Sequence, residues 1–135
     1  MEFKALVTDK LIYKKYVEIL NSLFGLAERE MDVFASLLKI HMEWGKDEPK
    51  DIIDARSRKQ LMRETLVNKN NLSKYIGKLK SLRIIVYNEN KDGWVINNYL
   101  VPSLTDIEYI DKNGKAVKEK NILSVNFILK LKDNE

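Results

Sequence analysis

"LVNKNNLSKYIGKLKSLRIIVY", Leu66 to Tyr87, is the stretch on which the reading of this chain turns. Leu72, Ile76 and Leu79 recur at four and three residues, with Tyr75 and Leu82 flanking them, which is the spacing of one helical stripe packed inward. The opposite face is left with Lys69, Asn70, Asn71, Ser73, Lys74, Gly77, Lys78 and Ser81. Asn68 stands just ahead as a good N-cap, because its side-chain oxygen can accept from first-turn amides. After Leu82 the apolar period changes from helical to alternating. "IIVY", the polar "NENKDG" and then "WVINN" predict a β-hairpin with a glycine-containing tip.

Upstream of this stretch the pattern is helical. Met1 to Val7 alternates weakly and fits a short strand. Thr8 or Asp9 caps a predicted helix carrying Ile12, Tyr16, Ile19, Leu20, Leu23 and Phe24, with Gly25 as its stop. A second helix is expected from about Glu28 to near Gly45, with Met31, Phe34, Leu37, Leu38, His41 and Met42 on one face. "DIID" is short enough only for a strand. Ser57 followed three residues later by Gln60 reads as a capping box, which predicts a third helix from Arg58 that buries Leu61 and Met62. Two short helices joined by the tight "TLVNK" turn have the form of a helix-turn-helix.

Charge is concentrated where this arrangement lies. The 135-residue chain carries a net +4, but Arg56 to Arg83 holds nine basic residues against one acid, Glu64, a local +8. The remainder has fifteen basic and nineteen acidic residues, or −4. A positive patch on an otherwise acidic chain is the footprint expected for a polyanion, against the plainer reading of a solvated helical face.

Composition excludes several chemistries. Without cysteine there are no disulfides, thiolate metal sites or cysteine nucleophiles. The single histidine, His41, falls on an apolar stripe and reads as a packed residue rather than a ligand. The five glycines are isolated, so no phosphate loop is present. No metal, cofactor or catalytic constellation is expected, and the chain reads as a non-enzyme. No apolar run approaches membrane-spanning length and no leader is legible, which fits a cytoplasmic protein. Abundant Lys, Asn and Ile, residues with A/T-rich codons, point to a low-GC bacterium or its phage.

From about Leu26 to Pro102, roughly three-fifths of the chain, the sequence resembles the winged helix-turn-helix family of DNA-binding proteins. The resemblance is carried by "LAEREMDVFASLL" as first helix, "SRKQLMRETLVNKNNLSKYIGKLK" as the two-helix reader and "IIVYNENKDGWVIN" as wing. Where many members have Ser or Thr at the first-helix cap this chain has Ala27, and where many have Gly before the wing it has Arg83. The resemblance implies an α+β fold: a winged helix-turn-helix core over residues 26–104, an N-terminal helix extension over 1–25 and a C-terminal β extension over 105–135.

In such a motif the start of the second helix meets base edges in the major groove. Asn70 and Asn71 have the donor and acceptor that suit adenine, although both could serve only the turn and cap. Lys69, Lys74 and Lys78 are placed for phosphate or guanine, with Asn68 and Ser73 beside them. Arg58, Lys59 and Arg63 would serve the backbone and Lys91 would be the wing contact. Gly77 could admit a close DNA backbone or fit beneath the wing. Trp94 is expected to plug the core under the hairpin.

The last third contains Asn113-Gly114, a strong hairpin signal, and "ILSVNFILKL", which puts Leu123, Val125, Phe127, Leu129 and Leu131 on one side of a strand. That strand could cover the N-terminal helix or join a partner chain, so a homodimer is the expectation and closure within a monomer its rival. Two function classes follow. One is a double-stranded DNA binder, either a transcriptional regulator or a replication-origin binder. The other is a winged-helix adaptor whose basic face docks an acidic protein.

Overall fold

The computed structural model describes residues 12–44 and 50–124, which form four helices and two antiparallel β-hairpins in an α+β arrangement. They divide after Val101 into two compact units. The first holds helices α1 (Ile12–Phe24), α2 (Glu28–Glu43), α3 (Ala55–Thr65) and α4 (Lys69–Ser81), then strands β1 (Ile85–Asn88) and β2 (Gly93–Ile96). The second is the hairpin β3 (Ser103–Ile110) and β4 (Ala116–Ser124).

Helix α1 buries Tyr13, Tyr16, Val17 and Leu20, a three-four-seven spacing that makes one face. Its expected stripe is corrected here. Ile19 and Leu23 are 54% and 57% exposed, because the α2-facing side is centred on Tyr13 and Val17. Gly25 ends the helix at φ +66°, a left-handed position that glycine adopts without steric cost. Asn21 closes the turn by accepting from the Leu26 N–H at 2.6 Å and donating to the Leu26 carbonyl at 3.1 Å. Lys14 then pairs with Glu28 at 2.7 Å and with Asp32 at 2.5 Å, tying α1 to the first turns of α2. The Tyr16 hydroxyl donates to the Leu100 carbonyl at 2.6 Å and anchors the end of the unit.

Helix α2 is the centre of the core. Val33, Phe34, Leu37, Leu38 and Ile40 are buried along it, and α1, α3 and α4 all pack against it. Ala27 at its N-cap has no side-chain acceptor, so only half of a capping box forms, with the Glu30 carboxylate accepting from the Ala27 N–H at 2.8 Å. At the partly exposed edge of this packing, Lys39 meets Glu64 of α3 at 3.1 Å. Burial raises the pKa of that carboxyl, but hydrogen bonds from Gln60 and Lys39 and the lysine charge outweigh it and hold Glu64 below its usual value of 4.5.

Two expectations between α2 and α4 are overturned. "DIID" is no strand: the Asp51 carboxylate accepts from the Ile53 N–H at 2.9 Å, and this local bond curls the segment into a turn. All that reaches a sheet is one bond, from the Ile52 N–H to the Trp94 carbonyl at 2.8 Å. Helix α3 starts earlier than the Ser57–Gln60 pattern implies. Asp54 is its N-cap and accepts from the Ser57 N–H at 2.8 Å, while Ser57 is fully buried with no partner for its hydroxyl. Asp54 is free to cap, whereas the Ser57 hydroxyl is already covered by the core. Leu61 is buried as expected, and Met62 is only half-buried.

The α3–α4 turn is three residues long. Leu66 takes the left-handed conformation at φ 58° while 83% exposed, Val67 is buried, and Asn68 caps α4 by accepting from the Asn71 N–H at 2.8 Å. Leu72, Ile76 and Leu79 are buried, as the spacing predicts. Arg83, where glycine is common in the resembling family, adopts φ +60°, and its carbonyl accepts from Asn97 Nδ2 at 3.1 Å. The chain then enters β1, paired with β2 in the register Ile85 to Ile96 and Tyr87 to Trp94, with Ile84, Ile85 and Ile96 closing the core.

In the second unit β3 pairs with β4 from Ser103 opposite Ser124 to Ile110 opposite Ala116, with a bulge between Thr105 and Ile107. Asp111 organises the tip, accepting from the Asn113 and Lys115 N–H groups at 2.9 Å each. The expected hairpin at Asn113-Gly114 is present, and its first strand begins at Ser103, ahead of the expected boundary at residue 105. The expectations for Met1–Val7, for the Thr8 or Asp9 cap and for the strand beyond Ser124 lie outside the described residues.

Candidate nucleic-acid interface

Helix α4 turns a continuous polar face outward. Lys69, Asn70, Asn71, Ser73, Lys74, Gly77, Lys78 and Ser81 are all exposed, while the buried stripe holds the opposite side against α2. Capping falls to Asn68 alone. The Asn70 and Asn71 carboxamides make no hydrogen bond among the described residues and stand clear of the turn. Among the described residues no carboxylate lies within ion-pair distance of Lys69, Lys74 or Lys78, so their charge is not neutralised locally.

The structure brings one residue of α3 to this face. Arg58 donates through Nε to the Ile53 carbonyl at 2.8 Å and through Nη1 to Ser73 Oγ of α4 at 3.4 Å. A guanidinium fixed by two bonds loses little further freedom on meeting a phosphate and keeps donors to spare. Lys59 and Arg63 are not brought there. Both are exposed, and both open into a shallow groove of about 660 Å³ lined by Trp44, Ala55, Arg56, Lys59, Gln60 and Arg63. Lys91 sits exposed at the tip of the β1–β2 hairpin, its N–H donating to Asn88 Oδ1 at 3.1 Å.

Gly77 is open. A Cβ there would meet nothing within 4 Å, so a fit beneath the hairpin is excluded and a free helix surface remains. Trp94 is half-buried rather than a core plug. It packs edge-on against Tyr87 with centroids 5.7 Å apart, and the Lys80 ammonium lies 4.1 Å above its ring. Lys80 is thereby committed to the hairpin, a cation–π contact that fastens the end of α4 to β2. Neither this cluster nor the Trp44–Arg56 stack, at 4.2 Å, was legible in the sequence. The first follows only from strand register, and the second joins residues across a loop.

His41 is half-buried on α2. Burial first, and the charge of Lys91 second, hold its pKa below the ordinary 6.5, so it is a neutral packed side chain at pH 7. No group of three or more metal-ligating side chains occurs among the described residues. No helix among them is long and apolar enough to cross a membrane. No protein family, curated protein or solved structure matches this chain.

Proposed function

We propose that the unit ending at Val101 is a winged helix that binds double-stranded DNA with sequence preference. In this reading α3 and α4 form the helix-turn-helix, α4 lies in the major groove and β1–β2 is the wing. The supporting observation is the α4 face: three lysines and two asparagines, their side chains without partners among the described residues and all exposed, on a helix whose other side is locked to the core. Cations without local partners suit phosphates, and a free carboxamide can bond an adenine edge with both its groups. The role that fits is a cytoplasmic transcription regulator.

A lone reader helix spans only a few base pairs, and two-fold pairing is the usual way to lengthen the site. A homodimer therefore belongs to the proposal, and the exposed Ile19 and Leu23, one turn apart on α1, give it apolar surface to bury. Sedimentation at micromolar concentration tests this part by itself, and a monomer there refutes it.

Binding to random duplex DNA across a salt series tests the central claim. With about four to six phosphates neutralised per protomer, log K falls with log salt at about −0.9 per phosphate. A slope indistinguishable from zero removes the DNA reading.

A further inference from the structure

The groove between the end of α2 and the outer side of α3 belongs to a different face from the one proposed for DNA. Residues on a helix advance by about 100° each, so Lys59 lies about 100° and Arg63 about 140° around α3 from Arg58. Arg58 is the residue that touches α4, through Ser73. A rigid duplex seated on α4 and Arg58 therefore leaves Lys59 and Arg63 turned away from it.

The groove has a composition of its own. Arg56, Lys59, Gln60 and Arg63 fall at the three-four-seven spacing of a helix ridge, and Trp44 forms the wall across from them with the Arg56 guanidinium over its ring. Among the described residues, none that lines it is acidic. Glu64, next to Arg63 in sequence, is held by Lys39 and Gln60. Arg63 donates only weakly to Gln60, at 3.5 Å, so its charge faces solvent. Tryptophan and arginine are the residues that most often dominate protein interfaces, because they combine large apolar area with directional donors.

We propose that this groove docks an acidic amphipathic helix of a partner protein, with carboxylates on Lys59 and Arg63 and an apolar side chain against Trp44. A ridge at this spacing over about 10 Å of axis accepts a second helix packed alongside. Helix-in-groove recognition needs an apolar anchor flanked by complementary charge, and the groove supplies both. The inference does not depend on α4 binding DNA, and a peptide experiment tests it separately.

The probe is a synthetic helix of about 16 residues, long enough to be partly helical alone, with glutamates on one face and leucines beside them. Titrated into a Trp94→Phe variant of the full chain, where Trp44 is the sole indole, it gives a saturable change in emission. Lys59→Gln with Arg63→Gln weakens that binding at least about tenfold, one unit in log K. Lys74→Gln leaves it within about twofold, since Lys74 lies on another helix and face. Anisotropy of a labelled peptide with the Trp94 chain repeats the measurement without the background substitution. No saturable binding, or binding equal in the double variant, overturns the proposal. So does a duplex that perturbs Trp44 and loses affinity in the double variant, since the groove is then a nucleic-acid contact.

Discussion

Gly93 lies directly against Lys50: a Cβ at Gly93 would come within 2.5 Å of the Lys50 carbonyl oxygen and 3.0 Å of its carbonyl carbon. The contact is backbone on backbone, beside the bond from Ile52 to Trp94 that fastens the α2–α3 connection to the hairpin. A side chain there has no flexible neighbour to displace. Gly93→Ala is expected to destabilise the first unit by about 1 to 3 kcal/mol, in the range of overpacked cores. Urea denaturation measures it, and an unchanged midpoint refutes the close approach.

Gly77 is the opposite case. With open space around its Cβ position, alanine there gains helix propensity, so Gly77→Ala is expected to raise stability by about 1 kcal/mol. If a DNA backbone passes over α4 at this point, the same substitution weakens duplex binding. A more stable protein that binds less tightly separates the two effects, and unchanged affinity places the duplex farther from Gly77.

Asn71 and Lys74 divide the proposed recognition. The Asn71 N–H that bonds the cap is backbone, so Asn71→Ala keeps the cap and removes only the carboxamide. It is expected to cost about 1 to 3 kcal/mol on a selected site and to flatten preference among sequences. Lys74→Ala is expected to weaken all duplexes alike and to reduce the salt slope by about one phosphate. Binding selection followed by salt titration of both variants checks this. Preference that survives Asn71→Ala would confine that residue to the backbone.

Glu64 sets part of the acid sensitivity. Its folded pKa lies below 4.5 because Gln60 and Lys39 favour the carboxylate by more than burial disfavours it. A depressed carboxyl contributes stability that is fully present above the unfolded value and is lost as pH falls through the folded one. Stability from this group therefore fades below about pH 4.5. Glu64→Gln is expected to lower stability at neutral pH and to lose less on acidification to about pH 3 than the parent. Denaturation at the two pH values gives the comparison, and parallel acid losses would show that Glu64 does not govern this limb.

Local patterns were sufficient for much of the first unit. The Leu72, Ile76 and Leu79 spacing, the Asn68 cap, the Gly25 stop and the shift to alternation after Leu82 each depend on residues within one or two turns. Their outcome survives folding because the hydrogen bonds that define them are local. The concentration of charge from Arg56 to Arg83 is likewise a property of the chain before it folds.

Tertiary structure decided what depends on the angles at which helices meet. Asp54 rather than Ser57 caps α3 because the core covers Ser57, and no local pattern records that burial. "DIID" has the apolar residues of a strand, but Asp51 and Asp54 bind nearby amides before a partner strand can, leaving one ladder bond to Trp94. Arg58, Lys59 and Arg63 form a single basic cluster in the sequence. Folding sends Arg58 to Ser73 on α4 and the other two to the groove that Trp44 also lines, because side chains 100° or more apart on one helix meet different neighbours once it packs against α2.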